Sequence, residues 1–185
     1  MKFDFLGGIM QTKRPFTGHG WVLLILFVAL LLDGVLSLVL GQWIMTARFS
    51  GIPELTLITL LMIVIFLPDE PYIVLYAVGF GLLFDMVYTG IIGINALIWP
   101  LIVYIAMQLR QFIPKSPLFV GALVVISVTI FCIADDLMNE FIGFGTTNFA
   151  TLVSVHMGPS LLVNLVGFAI VYLPLSRLLI NLKRS

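Results

Sequence analysis

Apolar residues form six long runs along the chain, and the segments between them carry many of its prolines, glycines and charges. A helix needs about 20 mostly apolar residues to cross a membrane core of about 30 Å, so each run predicts one spanning helix. We predict spans at residues 21–43, 52–67, 72–88, 91–109, 118–137 and 156–179. The runs lack the alternation of polar and apolar residues that a transmembrane β-barrel shows. The predicted fold is an all-α integral membrane protein, a six-helix bundle over residues 21–182 with a cytoplasmic N-terminal arm at residues 1–20.

The composition supports a membrane protein. Of the 185 residues, 61% are hydrophobic and only 10% are charged, and the mean hydropathy is +1.19. A soluble domain has about 25% charged residues, because its surface must be wetted. Lipid is therefore the expected solvent for most of this surface. The single cysteine, Cys132, excludes an intrachain disulfide and is interpreted as a small buried hydrophobic residue.

The positive charges are strongly segregated. With six spans and a cytoplasmic N-terminus, eight of the nine Lys and Arg residues fall on the inner side, and only Arg48 falls on the outer side. Cytoplasmic loops carry an excess of such residues, so we predict that both termini are cytoplasmic. The eight inner residues are Lys2, Lys13, Arg14, Arg110, Lys115, Arg177, Lys183 and Arg184.

Asp33 is the most costly polar residue, because it lies well inside the first apolar run. A carboxylate near the bilayer centre costs about 2.5–3.5 kcal/mol. Ala29, Asp33, Ser37 and Gly41 recur every four residues, so they share one helix face, which we expect to face protein. Two interpretations of Asp33 stay open: a protonated acid bonded within the bundle, or a contact used by a partner or ligand.

The other acids concentrate at the predicted outer ends of the spans. Glu54 follows Pro53 at a helix start, where the helix macrodipole favours an acid. Arg48 is expected to pair with Asp33 or Glu54. The candidate partner- or ligand-binding residues are Asp33, Ser37, Arg48, Glu54, Gly81, Asp85, Asn95, Asp135, Asp136, Glu140 and Asn164.

The stretch from Gly81 to Asn95 predicts a tight hairpin between the third and fourth spans. Gly81 and Asp85 share a helix face, and Gly81 permits close approach of a neighbouring helix. We expect Asp85 to be a wetted acid at the outer interface. Thr89 is expected to cap the fourth helix, the glycines that follow it to reverse the chain, and Asn95 to bond Asp85 or a free backbone group.

No motif for catalysis, phosphate binding or zinc binding is found. The chain has two histidines and one cysteine, and its loops are short. We therefore predict a binding protein that is not an enzyme and has no metal, cofactor or nucleic-acid ligand.

Three stretches resemble the rod shape-determining protein MreD family. They are "GLLFDMVYTGIIGINAL" (Gly81–Leu97), "IPEL" (Ile52–Leu55) and "LVNLVGFAIVYLPLSRLL" (Leu162–Leu179). The acids that close the fifth span also fit the family. Asp33 departs from it, since the family more often has an uncharged polar residue there.

The resemblance implies a multi-pass, non-enzymatic subunit of the bacterial elongation machinery in the cytoplasmic (inner) membrane, surrounded by lipid. The implied direct partner is the bitopic protein MreC, and the implied neighbours are MreB, RodA and its penicillin-binding transpeptidase. The family is similar in span layout to the substrate-binding subunits of energy-coupling-factor transporters. The alternative function is therefore a substrate-binding membrane subunit for a vitamin or metal. The residue pair Ala29 and Asp33 stands where those subunits usually have two alanines, which favours the adaptor.

Overall fold

The computed structural model describes residues 18–46, 49–143 and 152–184. The helices are α1 (His19–Ile44), α2 (Leu55–Phe66), α3 (Ile73–Phe84), α4 (Ile94–Leu109), α5 (Pro117–Ile142) and α6 (Gly158–Arg184). One π-helical turn, Asp85–Thr89, continues α3, and another, Leu152–Met157, leads into α6. Two-residue strands, β1 (Met45–Thr46) and β2 (Phe49–Ser50), pair antiparallel after α1. Most of the predicted N-terminal arm, residues 1–17, lies outside the described residues, and so does Arg48.

The expectation of an all-α membrane protein is confirmed, and the six helices described fit the six-helix bundle. Three segments are long and apolar enough to cross a membrane: His19–Val39, Pro117–Ile142 and Val153–Lys183. The other three apolar helices are shorter, Leu55–Phe66, Ile73–Thr89 and Ile94–Leu109. The 12 residues of α2 span only about 18 Å at 1.5 Å per residue, less than the bilayer core. The resemblance to transporter substrate-binding subunits stays a prediction.

The short helix α2 forms the centre of the bundle. All of its residues are buried, and it contacts each of the five other helices. Its sequence, LTLITLLMIVIF, is apolar on every face except at Thr56 and Thr59. A helix that is hydrophobic all round is stable only where other helices cover it. The remaining helices are arranged around α2 and expose large apolar side chains on their outer faces.

Helices α3 and α4 form the predicted tight hairpin. A Cβ added at Gly81 would lie 2.8 Å from the backbone of Ala96, so only glycine permits this approach. Gly90 and Gly93 have φ values of 72° and 114°, in the left-handed region that glycine tolerates best. The prediction that these glycines reverse the chain is confirmed.

One end of the bundle, here called the basic end, carries Arg110, Lys115 and Lys183. The Arg110 guanidinium donates to the Pro68 carbonyl at 2.9 Å, which ties the end of α4 to the α2–α3 turn. The Tyr172 hydroxyl donates to the Lys115 carbonyl at 3.2 Å, which ties α6 to the α4–α5 turn. Partial burial and the neighbouring Lys183 ammonium lower the pKa of Lys115. The opposite end, which carries Asp33, Glu54, Asp85 and Asp135, is here called the acidic end.

Candidate functional site at the acidic end

Asp33 caps the central helix from a different helix. Its carboxylate accepts hydrogen bonds from the backbone N–H of Leu55 at 2.6 Å and of Thr56 at 2.8 Å, and from the Thr56 hydroxyl at 2.7 Å. The first N–H groups of a helix have no partner within the helix, and an acid there also interacts favourably with the macrodipole. The structure therefore explains Asp33 as an acid bonded within the bundle.

Asp85 does the same for α4. Its carboxylate accepts hydrogen bonds from the backbone N–H of Gly93 (2.8 Å), Asn95 (3.1 Å) and Ala96 (3.2 Å), and from the Asn95 side-chain amide (2.7 Å). The expectation that Asp85 is wetted is wrong, because its exposed fraction is 0%. Thr89 does not cap α4 either, since its hydroxyl donates to the Asp85 carbonyl at 3.1 Å. The predicted bond between Asn95 and Asp85 is confirmed.

The segment that leads into α2 is held by α6. The Asn164 amide oxygen accepts a hydrogen bond from the Glu54 N–H at 2.7 Å, and its amide nitrogen donates to the Ile52 carbonyl at 2.8 Å. The Ser160 hydroxyl accepts from the Ile52 N–H at 3.1 Å. Asn164 and Ser160 lie one turn apart on α6, so they face the same segment. The start of α2 is thus fixed from both sides, by α1 and by α6.

Glu54 occupies the N-cap position of α2, but its side chain makes no capping bond. Asp33 already takes the N–H groups that a cap would reach. Glu54 is 1% exposed, and neither of its carboxylate oxygens has a hydrogen-bond partner within the described structure. The indole nitrogen of Trp99, which lies near Glu54, is also buried without a hydrogen-bond partner within the described structure. Glu54 therefore lies at the start of α2, as predicted, while Asp33 accepts the hydrogen bonds of the first N–H groups.

The end of α5 adds further acids. Asp135 and Asp136 are half-buried, and Glu140 is exposed. Asp135 accepts a hydrogen bond from the Asn139 amide at 3.1 Å, and His156 is close enough to act on it electrostatically. Of these acids, Asp135 is near enough to Glu54 to act on it electrostatically.

The structure brings six of the predicted residues together and leaves others apart. Six of them lie at the start of α2 or near the side chains that surround it: Asp33, Glu54, Asp85, Asn95, Asp135 and Asn164. Ser37 is half-buried one turn further along α1, and Gly81 belongs to the α3–α4 contact. The sequence reasoning missed Thr56 and Trp99. Trp99 follows Asn95 by four residues, a spacing that could have placed both on one helix face.

A groove between α1 and α6 is the second feature that can bind a partner. It consists of two cavities of about 400 Å³ and 290 Å³, both lined by Leu55 of the central helix. Val28 and Leu32 form part of the α1 wall, and Val171 and Leu175 part of the α6 wall. The side chains that line the two cavities are mostly apolar, so the groove suits an apolar helix or a lipid chain.

Comparison with curated proteins and with solved structures gives no match. The family model described as "rod shape-determining protein MreD" matches residues 16–182, which includes all six helices nearly in full. The match covers most of the 185 residues. The chain therefore belongs to the MreD family of rod shape-determining membrane proteins.

Proposed function

We propose that this protein is a non-enzymatic membrane adaptor of the rod-shape machinery, which binds the transmembrane helix of MreC in the groove between α1 and α6. The observation that carries the proposal is this groove, a concave apolar surface floored by the buried central helix. Through MreC, the adaptor helps to couple peptidoglycan synthesis by RodA and its transpeptidase to MreB filaments.

The length of the groove fits a membrane-spanning occupant. On α1 its lining runs from Trp21 to Leu36, and on α6 from Leu162 to Leu178. At 1.5 Å per residue these stretches are about 22 Å and 24 Å long, most of a bilayer core of about 30 Å. A single transmembrane helix can therefore contact α1 and α6 along most of its apolar length.

The shape of the groove matters more than its apolarity, because lipid tails are as apolar as the partner helix. Helices associate in membranes through close packing, which small residues at the contact favour. Ala29 lies in the groove and is only 6% exposed, and Gly167 lies in the part nearer the acidic end. A helix that fills this concave surface makes more contacts than flexible acyl chains do.

The proposal includes an orientation. The described lysines and arginines occur at the basic end, and such residues favour the cytoplasmic side of a membrane. We place the basic end in the cytoplasm, with both termini, and the acidic end at the outer surface of the inner membrane. The acidic end then faces the side on which the extracytoplasmic domain of MreC lies. The transporter-subunit function stays an alternative prediction.

The test is co-purification of this protein with MreC in mild detergent. Val28→Trp and Ile170→Trp each place a large side chain in the groove. Ile126→Trp is the matched control, because Ile126 is a lipid-facing residue of α5 that is 55% exposed. We expect the two groove variants to lose at least about tenfold of the recovered MreC, equivalent to about 1.4 kcal/mol, while the control keeps it.

A thermal unfolding scan of each variant without MreC shows whether the bundle is intact. Equal recovery of MreC by the control and by stable groove variants would place the partner elsewhere on the protein. Failure of the wild-type protein to recover any MreC would refute the adaptor function itself.

A further inference from the structure

We infer that Thr59, on the floor of the α1/α6 groove, makes the polar contact by which this protein recognises its partner helix. The contact is a hydrogen bond between the Thr59 hydroxyl and a hydroxyl or carboxamide side chain (Ser, Thr, Asn or Gln) of the helix in the groove. The inference rests on the proposed function, because it takes the transmembrane helix of MreC as the occupant. It adds the chemistry of the contact and its depth in the membrane.

The first observation is that the Thr59 hydroxyl is unpaired. A threonine in a helix can donate to the carbonyl four residues earlier, as Thr129 does to the Val125 carbonyl at 2.8 Å. The Thr56 hydroxyl donates to Asp33. Within the described residues, the Thr59 hydroxyl makes no hydrogen bond of either kind. Thr59 therefore keeps one free donor and free acceptor capacity.

The second observation is that this hydroxyl opens into the groove. Thr59 is only 2% exposed, and it lines the larger cavity, of about 400 Å³. Its oxygen is nevertheless accessible, whereas the unpaired carboxylate oxygens of Glu54 are fully enclosed. The other side chains that line this cavity are aliphatic, apart from Trp21. Among the described residues of the cavity, Thr59 thus carries the one hydroxyl that an occupant can meet.

The third observation is an open approach to Thr59 from the side of α1. Asp33 binds the N–H of Leu55 at the start of α2, and Ala29 lies one turn from Asp33 on the same face of α1. Thr59 lies one turn into α2 from Leu55, and Ala29 lines the same cavity. Ala29 and Thr59 are therefore at about the same level of the bundle. The small side chain of Ala29 lets a partner helix come close at this level.

The depth of Thr59 in the membrane follows from Ala29. Ala29 lies eight residues after Trp21, which is about 12 Å at 1.5 Å per residue. Trp21 is exposed near the basic end, and tryptophans prefer the membrane interface. Thr59 is then close to the centre of a bilayer core of about 30 Å. Neither water nor acyl chains can pair a hydroxyl at this depth.

A partner helix can pair this hydroxyl with a polar side chain of its own. Hydroxyl and carboxamide groups both donate and accept, so either kind fits Thr59. We expect the polar residue about eight residues into the apolar stretch of the partner, counted from the end beside Trp21. A helix shifted by one turn meets aliphatic side chains there instead. The contact therefore sets the register of the partner helix, which apolar packing alone sets less strictly.

The experiment measures the affinity of full-length MreC for the full chain in detergent by fluorescence energy transfer. Thr59→Val keeps nearly the same shape and removes the hydroxyl, so we expect its dissociation constant to rise about threefold to tenfold. Thr59→Ser restores a hydroxyl and should bind more tightly than Thr59→Val. Thr129→Val is the matched control, because its hydroxyl is bonded within α5 and lies outside the groove; the wild-type constant is expected.

A thermal unfolding scan without MreC separates binding from folding. The Thr59 hydroxyl is unpaired in the free protein, so Thr59→Val should unfold at or above the wild-type temperature. A structural role for the hydroxyl would lower that temperature instead.

A double-mutant cycle identifies the group on the partner. Each Ser, Thr, Asn or Gln of the MreC transmembrane helix is replaced by alanine in turn. One replacement, about eight residues from the cytoplasmic end of the helix, should weaken binding to the wild-type protein but not weaken binding to Thr59→Val any further.

The inference is overturned if Thr59→Val binds MreC as tightly as wild type, or if no polar residue of the MreC helix is coupled to Thr59. If Val28→Trp still weakens binding in that case, the adaptor function stands and the groove recognises its partner by shape alone. Absence of MreC binding by the wild-type protein refutes the adaptor function and this inference with it, so the two failures are distinguishable.

Discussion

Replacing Asp33 by alanine should destabilise the central helix at its start. The substitution removes the acceptor of two backbone N–H groups, at Leu55 and Thr56, and of the Thr56 hydroxyl. Both residues are buried, so water cannot replace the carboxylate, and each unpaired donor costs about 1–3 kcal/mol. Removing a desolvated carboxylate offsets part of this loss. We expect a net loss of about 2–4 kcal/mol, more than an exposed cap contributes.

Two measurements check this value. A loss of about 2–4 kcal/mol should lower the unfolding temperature by about 4–16 °C, at 2–4 °C per kcal/mol for a chain of this size. Hydrogen exchange at the Leu55 and Thr56 amides should accelerate by about 30-fold or more, because each 1.4 kcal/mol of local stability is tenfold in exchange. Asp33→Asn keeps the shape and one acceptor oxygen, so it should lose less, about 1–2 kcal/mol.

Ser37→Ala is the matched control, because Ser37 lies one turn further on the same face of α1 and is half-buried. It should change stability by less than about 0.5 kcal/mol. If Asp33→Ala unfolds at the wild-type temperature and the Leu55 and Thr56 amides exchange at the wild-type rate, Asp33 does not hold the start of α2.

Three further substitutions test the packing by thermal unfolding in detergent. Gly81→Ala forces α3 and α4 apart and should lower the free energy of unfolding by about 1–3 kcal/mol. Gly79→Ala is the control, because no atom lies within 4 Å of its new Cβ, and it should be neutral or slightly stabilising. Equal effects of the two substitutions would contradict the close contact at Gly81. Asp85→Asn weakens the hydrogen bonds at the start of α4 and should lower the free energy of unfolding by about 1–3 kcal/mol. A melting curve identical to that of wild type would show that this cap is dispensable. Glu70→Gln removes the charge that His19 contacts at 2.9 Å. Because His19 is partly exposed, the free energy of unfolding should fall by less than about 1 kcal/mol. A larger loss would show that this pair anchors the basic end.

Features that depend on local pattern could be predicted from the sequence. The apolar runs predict the order of the helices, because burial in lipid requires a continuous apolar surface. The four-residue spacing of Ala29 and Asp33 predicts a face turned towards protein, and both residues are buried. The glycines after Thr89 predict a reversal of the chain, since left-handed backbone favours glycine.

Features that depend on competition between distant groups could not be predicted. Asp33 and Glu54 both suit the start of α2, and the sequence does not say which of them binds the free N–H groups. The packing of α1 against α2 decides it in favour of Asp33 and leaves Glu54 unpaired. The burial of Asp85 could not be predicted either, because it depends on how closely α4 approaches α3 at Gly81. An acid near a span end looks wetted until the neighbouring helix is placed.

The most direct test of the adaptor function is site-specific photo-crosslinking in cells that contain MreC. A photoreactive amino acid is placed at Val28 or Ile170 in the α1/α6 groove, or at Ile126 on α5. We predict crosslinks to the transmembrane helix of MreC from the two groove positions and none from Ile126. Crosslinks from Ile126 with none from the groove would contradict the proposed binding surface.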